Sequence, residues 1–200
     1  MLKLIKTPLL IGLCLIFISL SFFVLIFYPV ILAEVNYQLK SINTNSGRSL
    51  QKQTMAAGQD FQIVIPKIDL RSPVLSNIDP FNKKEYLKSL KKGVAHAKGS
   101  ALPGKKGNIF IFGHSTDLPM NIASLNAVFY LVNKLKPGDE IYLNFSGKEY
   151  RYIVDNTKIV SPGEIDYLQQ TSSDPTLTLM TCWPPGTTLK RLLVIARQTE

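Results

Sequence analysis

The stretch Leu177–Gln198, LTLMTCWPPGTTLKRLLVIARQ, contains two strand-like runs that are joined by a tight break. The first run ends at Cys182, the break is Trp-Pro-Pro-Gly, and the second run opens with Lys190 and Arg191. Proline and glycine at such a break predict a turn between two strands. If the two strands pair in the antiparallel sense, the turn returns Arg191 to the neighbourhood of Cys182.

The N-terminal part of the chain has the features of a membrane anchor. No charged residue lies between Lys6 and Glu34, and about 20 apolar residues suffice for a helix to cross a bilayer. This run is longer than the apolar region of a cleavable signal peptide, and only Ala33 resembles a cleavage position, with the bulky Ile31 two residues before it. We therefore expect a transmembrane helix over residues 7–33 after a short tail of residues 1–6. A cleaved signal peptide and a buried helix of a soluble domain are the alternatives.

The flanking charges predict the orientation of this helix. Lys3 and Lys6 precede it without a nearby acid, whereas Glu34 is the first charge after it. Positive flanks stay in the cytoplasm, so we expect a single-pass protein of the cell membrane with a cytoplasmic N-terminus and an extracytoplasmic domain.

The two cysteines then lie in different environments. Cys14 falls within the predicted membrane helix and Cys182 within the external domain, so they cannot pair in one molecule. A single external thiol in an exported protein predicts a reactive cysteine or an intermolecular bridge. A buried, inert cysteine is the alternative.

The chain carries a formal net charge of +9. Its basic residues occur as dispersed pairs among acids, without the aromatic and glycine pattern of an RNA-binding surface. We therefore expect no nucleic-acid partner. A solvated surface that faces an anionic cell envelope accounts for the charge.

The region after the anchor divides into a stalk and a folded domain. Residues 34–60 are polar with little apolar periodicity, which is typical of a stalk, and the domain then covers residues 61–200. FQIVIPKIDL and NIFIFGH have strand character, whereas DPFNKKEYLKSLKKG and IASLNAVFYLVNKLKPGD have helical spacing. Seven or eight short strands with two or three helices on the connections predict a small, mainly β barrel.

Three side chains of the domain suit nucleophilic catalysis. His114 ends the strand NIFIFGH, Cys182 ends another, and Arg191 opens the strand after Cys182. An imidazole can activate a thiol and later protonate a leaving amine. A guanidinium is always charged and can donate to an oxyanion. Each residue also has an ordinary structural explanation, so the residues alone leave catalysis and a purely structural role open.

The segment TLMTC, Thr178–Cys182, matches the Thr-Leu-X-Thr-Cys motif of sortases, which are membrane-anchored cysteine transpeptidases of bacterial surfaces. IPKIDLRSPV resembles the first strands of that family, and GVAHAKGSALPGKKGNIFIFGHS resembles its histidine region. The arginine in LKRLLVIA stands where the family has its catalytic arginine. The resemblance runs from about Phe61 to the C-terminus and implies an eight-stranded sortase barrel with short helices on its connections.

The resemblance also implies a reaction and its residues. Cys182 would attack the carbonyl of threonine in a C-terminal sorting motif such as Leu-Pro-X-Thr-Gly, and the acyl group would pass to an amine of the cell envelope. His114 would be the acid and base, Arg191 would stabilise the oxyanion, and Thr181 would support substrate binding or the oxyanion. The partners would be surface proteins that bear a sorting signal. No cofactor and no metal are expected.

Two other residues compete for roles at this site. His96 belongs to the same family-like segment as His114, but it stands at the start of a loop, so we interpret it as a structural residue or as one that supports a catalytic residue from behind. Asp117 follows His114 closely, as an acid that orients a histidine would, but sortases do not depend on such an acid. We therefore leave both residues out of the catalytic set.

Two further functions remain open on the sequence. The same acyl-enzyme chemistry would serve a membrane-anchored thiol peptidase that mainly hydrolyses, because water and amine compete for the intermediate. A surface binding module with a buried Cys182 and a structural His114 is the non-catalytic alternative.

The predicted topology can be tested with a membrane-impermeant thiol reagent on intact cells from which the wall has been removed. Cys182 is expected to react because it lies outside the membrane, and a Cys182→Ser chain, which keeps only Cys14, is expected to remain unlabelled. Full protection of Cys182 in intact cells, with labelling only after lysis, would contradict the orientation.

Overall fold

A computed structural model of the chain describes residues 2–42, 60–115, 128–168 and 173–199. The chain forms two compact units. The first contains helix α1, Leu2–Ile42. Within α1, Pro8–Leu25 is long and apolar enough to cross a membrane. The helix continues beyond Glu34, so the first residues of the predicted stalk are helical as far as Ile42.

The second unit is a closed barrel of eight strands, in the order β1-β2-β3-β4-β7-β8-β6-β5. The strands are β1 (Phe61–Ile65), β2 (Leu70–Ile78), β3 (Val94–Ala97), β4 (Gly107–Phe112), β5 (Glu140–Phe145), β6 (Lys148–Val160), β7 (Pro175–Trp183) and β8 (Lys190–Thr199). The pairs β2–β3 and β4–β7 are parallel and the others are antiparallel. The predicted mainly β, eight-stranded barrel is confirmed.

The connections carry short helical segments. Helix α2 spans Lys83–Leu90, and within the described residues 3-10 turns span Pro66–Ile68, Tyr130–Lys134 and Asp166–Leu168. The predicted helix IASLNAVFYLVNKLKPGD begins in residues 116–127, which lie outside the described residues. Its described part is the 3-10 turn Tyr130–Lys134, which ends just before Leu135 in extended conformation.

Strand β4 is buried on both of its faces, which makes it the centre of the domain. Ile109 and Ile111 are fully buried, and Phe110 and Phe112 are buried on the alternate positions. Parallel strands commonly require cover on both faces. Burial of each such side chain contributes about 1.5–3 kcal/mol to folding, so the segment NIFIF anchors the fold.

Helix α2 supplies part of the outer cover of β4. Asn82 caps the helix by accepting a hydrogen bond from the backbone N–H of Glu85, and the helix ends shortly before Gly93. Its inner side presents the buried Leu90 and the ring of Tyr86, which meets the ring of Phe112 edge to face at 6.2 Å. The sequence predicted this helix, and it packs its apolar side on the barrel.

The close approach of β2 and the start of β3 depends on Gly93. A Cβ atom at Gly93 would overlap the carbonyl oxygen of Pro73 and approach its Cγ to 2.8 Å. We expect Gly93→Ala to lower the free energy of unfolding by about 1–3 kcal/mol, the usual cost of overpacking. Urea unfolding followed by the fluorescence of Trp183, the one tryptophan of the chain, measures the change.

Gly163→Ala is the matched control, because a Cβ atom there meets nothing within 4 Å. Its expected change is within about 0.5 kcal/mol. Equal stabilities of the two variants would show that the Gly93–Pro73 contact does not constrain the barrel.

Candidate active site

Cys182 and Arg191 are direct cross-strand neighbours. In the antiparallel pair β7–β8, Cys182 lies opposite Arg191 and Met180 lies opposite Leu193. Side chains that face each other in such a pair project from the same side of the sheet, with Cβ atoms about 4.5–5.5 Å apart. Cys182 is a free, half-buried thiol, and Arg191 is also half-buried. The turn after Trp183 thus returns Arg191 to Cys182, as the sequence predicts.

His114 follows strand β4, which pairs with β7, at the same height on the barrel as Cys182. In the parallel pair β4–β7, Phe112 lies beside Met180, and the N–H of Gly113 donates to the carbonyl of Met180 at 3.1 Å. His114 is therefore two residues past Phe112 just as Cys182 is two residues past Met180. The ends of β4, β7 and the start of β8 bring the backbones of the three predicted residues to one place on the barrel.

Thr181 lies inside the barrel. It is only 3% exposed, and its hydroxyl donates to the carbonyl of Gly113 at 2.9 Å. Successive side chains of a strand alternate between faces, so Thr181 projects from the opposite face to Cys182. The hydroxyl ties the end of β4 to β7. The contact with substrate that the resemblance implies remains a prediction.

The guanidinium of Arg191 contacts the loop that precedes β8 and the first residue of β8. Its Nη1 donates to the carbonyls of Thr188 at 3.2 Å and of Lys190 at 3.0 Å. The same loop is closed by Thr187, whose hydroxyl and N–H both reach the carbonyl of Pro184. A short, internally bonded loop thus orients the arginine.

Tyr167 is a further neighbour of this site that the sequence did not single out. Its ring stacks on Phe110 with centroids 5.9 Å apart. Burial raises the pKa of Tyr167, the positive charge of Arg191 lowers it, and Glu164 raises it. The phenol therefore lies within electrostatic range of the guanidinium.

Asn108 fixes the segment that carries Tyr167. Its side chain is buried in β4, and its amide donates to the backbone carbonyl of Tyr167 at 3.2 Å. Its oxygen accepts hydrogen bonds from the hydroxyls of Thr176 and Thr178 on β7. These partners lie about 60 to 70 positions away in the chain. In the sequence, only the position of Asn108 within the apolar run GNIFIF indicates these contacts, because a buried amide needs hydrogen-bond partners.

A family profile described as the sortase domain matches residues 63–199. The chain belongs to the sortase family. Sortase D of Bacillus subtilis is 28% identical, over 67% of this chain and 61% of that relative. Sortase A of Bacillus anthracis is 32% identical, over 66% of this chain and 56% of that relative. The chain therefore spans about three fifths of the length of these relatives.

A solved structure agrees with this assignment. Sortase C of Clostridium perfringens SM101 is 31% identical with a TM-score of 0.56, and the match covers 70% of this chain and 68% of that one. The relatives and the solved structure thus carry three different class names, sortase A, C and D.

His96 of this sortase lies within β3 and not at the start of a loop, so that part of the sequence interpretation was wrong. The four-residue strand is stabilised by its pairing with β2 and β4, which local sequence does not reveal. The imidazole is 3% exposed, and its Nδ1 accepts from the N–H of Asn77 at 3.3 Å. Nε2 lies 2.9 Å from both the carbonyl of Ala101 and the hydroxyl of Ser100. These contacts fit a neutral, structural histidine. Asp117, the other competitor, lies outside the described residues.

Burial lowers the pKa of His96 below its ordinary value of 6.5, while the hydrogen bond with Ala101 opposes this shift. Its contribution to stability is therefore present above pH 6.5 and is lost as the pH falls toward the lowered pKa. We expect the free energy of unfolding to decrease between pH 7.5 and 5.5, as measured by urea unfolding with Trp183 fluorescence.

The chain has two histidines, which provides a matched comparison. His96→Gln is expected to reduce this pH dependence, whereas His114→Gln is expected to keep most of it. A His96→Gln chain with the full pH dependence of the unsubstituted chain would contradict the assignment.

Proposed function

We propose that this sortase is a cysteine transpeptidase that cleaves a C-terminal sorting motif of the Leu-Pro-X-Thr-Gly type after threonine. It then transfers the acyl group to an amine of the cell envelope. The observation that carries the proposal is the cross-strand pair of Cys182 and Arg191 beside the end of the strand that leads to His114.

The first half of the reaction forms a thioester. The thiolate of Cys182 attacks the carbonyl carbon of threonine, and the developing oxyanion accepts hydrogen bonds from the guanidinium of Arg191. Collapse of the tetrahedral intermediate breaks the threonine–glycine bond. The imidazolium of His114 donates its proton to the departing amine.

The second half reverses these proton transfers. His114, now neutral, removes a proton from the incoming amine, which attacks the thioester. The new amide forms, and Cys182 leaves as the thiolate. Water in place of the amine gives hydrolysis, because water and amine compete for the same acyl-enzyme.

The contacts of Arg191 support its role in this scheme. A guanidinium has five N–H donors in a fixed plane, and the carbonyls of Thr188, in the preceding loop, and of Lys190, at the start of β8, hold one of its nitrogens. The plane is thereby oriented, and donors remain for an oxyanion. Preorganised donors cost little reorganisation when the charge develops.

Thr181 supports the site from within the barrel in this proposal. Its hydroxyl bond to Gly113 holds the end of β4 against β7. The distance between His114 and Cys182 then depends on this direct hydrogen bond between residues that adjoin them in the chain. A substrate or oxyanion contact of this residue would have to come through its backbone, because its side chain faces inward.

The proposed setting is the outer surface of a cell membrane. The apolar segment Pro8–Leu25 of α1 supports a single-pass anchor, and Lys3 and Lys6 favour a cytoplasmic N-terminus. The proposed partners are surface proteins with a sorting signal and an amine acceptor of the envelope. The mechanism needs no cofactor.

Cys182→Ala is expected to abolish both cleavage and transfer, with a loss of at least about 1000-fold, because no acyl-enzyme can form. Arg191→Lys is expected to lose about 100- to 1000-fold, since an ammonium does not reproduce the directed donors. The measurement uses mass spectrometry of the full chain with a panel of Leu-Pro-X-Thr-Gly-like peptides and an amine acceptor.

Two controls make these losses specific. Lys190→Ala removes the neighbouring exposed cation and is expected to have little effect, and Asp117→Asn is expected to be mild. A Cys182→Ala chain that still forms the threonine–amine product would refute the mechanism. Cleavage without amine product would identify a hydrolase, and a thiol that is inert to alkylation would favour a binding module.

A further inference from the structure

The excess positive charge of the domain is concentrated in one segment. Residues 79–107 contain eight lysines and two acids, Asp79 and Glu85. The rest of residues 60–199 contains ten basic and ten acidic side chains and is neutral overall. The basic pairs that look dispersed along the whole sequence therefore produce a local charge of +6 in the domain.

Helix α2 and the two residues that follow it expose most of this charge. The five lysines in and directly after α2 are all exposed, whereas Leu90 is buried. At 100° per residue, the exposed positions of α2 occupy one half of the helix, centred on Lys84 and Lys91. The other half packs on the barrel through Tyr86 and Leu90.

The connection between β3 and β4 adds three more exposed lysines, Lys98, Lys105 and Lys106. Lys98, at the start of this connection, lies beside the end of β2, which leads to α2, because the N–H of Lys98 donates to the carbonyl of Ile78 at 2.9 Å. Within the described part of the chain, none of the eight lysines forms an ion pair. The charge is therefore not neutralised by the protein itself.

Exposed apolar side chains accompany the lysines. Phe81 is 71% exposed, and Leu87 and Leu102 are also exposed. Leu87 lies on the lysine side of α2, and Phe81 lies just before the helix. A dissolved polyanion requires only positive charge, whereas the interface of a bilayer accepts both lysines and apolar side chains.

We propose that this basic surface docks on a bilayer that contains anionic phospholipid. The basic surface is defined by six exposed lysines and two exposed apolar residues: Phe81, Lys83, Lys84, Leu87, Lys88, Lys91, Lys92 and Lys98. Lysine ammonium groups contact the phosphate headgroups, and the apolar side chains enter the boundary between headgroups and acyl chains.

Because α1 contains an apolar segment that can anchor the chain in a membrane, a weak interaction between the basic surface and the bilayer is sufficient for docking. A membrane anchor in the same chain keeps the domain near the bilayer, so docking is an intramolecular step at high effective concentration. The proposal does not depend on which side of the membrane the domain occupies. It is also independent of the proposed catalytic function, so either can fail alone.

The test is hydrogen–deuterium exchange of the full chain in lipid nanodiscs. Exchange is compared in neutral phosphatidylcholine and in mixtures with about one third phosphatidylglycerol. We expect amides of residues 79–92 to exchange about fivefold more slowly with the anionic lipid. The difference should disappear near 1 M salt, where the screening length is about 3 Å. Unchanged exchange at the strands of the barrel shows that each variant is folded.

Two triple variants with the same change in net charge separate this surface from a general charge effect. Lys84→Glu, Lys88→Glu and Lys91→Glu together are expected to abolish the lipid-dependent protection. Lys136→Glu, Lys148→Glu and Lys158→Glu, at exposed positions elsewhere on the domain, are expected to retain it. Equal loss in both variants would overturn the assignment of the surface.

The apolar contribution and the identity of the partner are tested in the same experiment. Phe81→Ser is expected to weaken the protection at least twofold, and full protection without the ring would overturn the proposed insertion. Soluble polyphosphate is added to chains in neutral nanodiscs. Protection by polyphosphate but not by phosphatidylglycerol would replace the bilayer with a dissolved polyanion and refute the proposal.

Discussion

The parallel pairing of β4 with β7 is the constraint on which the rest of the domain depends. It joins segments that are far apart in the chain, from Gly107 beside Pro175 to Phe112 beside Met180. The backbone bond from Gly113 to Met180 and the hydroxyl bond from Thr181 to Gly113 extend the pairing beyond the end of β4. The relative positions of the proposed nucleophile and acid are therefore consequences of one strand register.

This pairing requires cover on the outer face of the barrel, because β4 is apolar on both sides. Tyr86 of α2 meets Phe112, and Tyr167 stacks on Phe110. The two covering segments also have roles toward solvent. Tyr167 interacts electrostatically with Arg191, and α2 with the two residues that follow it carries five of the six lysines of the basic surface. The packing that stabilises β4 thus also positions the surroundings of the site and the basic surface.

Buried polar side chains provide the remaining long-range connections. Asn108 links β4 to β7 and to Tyr167, and His96 links β3 to Asn77 and to the connection that follows β3. Asn77 adopts a positive φ of 60° at an irregular position of β2, a conformation that asparagine tolerates better than most residues. Among the described residues, every buried side-chain nitrogen and oxygen has a hydrogen-bond partner, as expected where desolvation is costly.

The sequence by itself determined the features that depend on local pattern and composition. These are the apolar helix, the capped helix α2, the strands around Cys182 and Arg191, and the motif that identifies the family. Only the tertiary structure decided that β3 forms at His96, that Thr181 faces the interior, and that Asn108 holds Tyr167 near Arg191. Periodicity reports which side chains are apolar along a few residues. Strand partners and registers are instead selected by contacts between distant segments, which no local pattern contains.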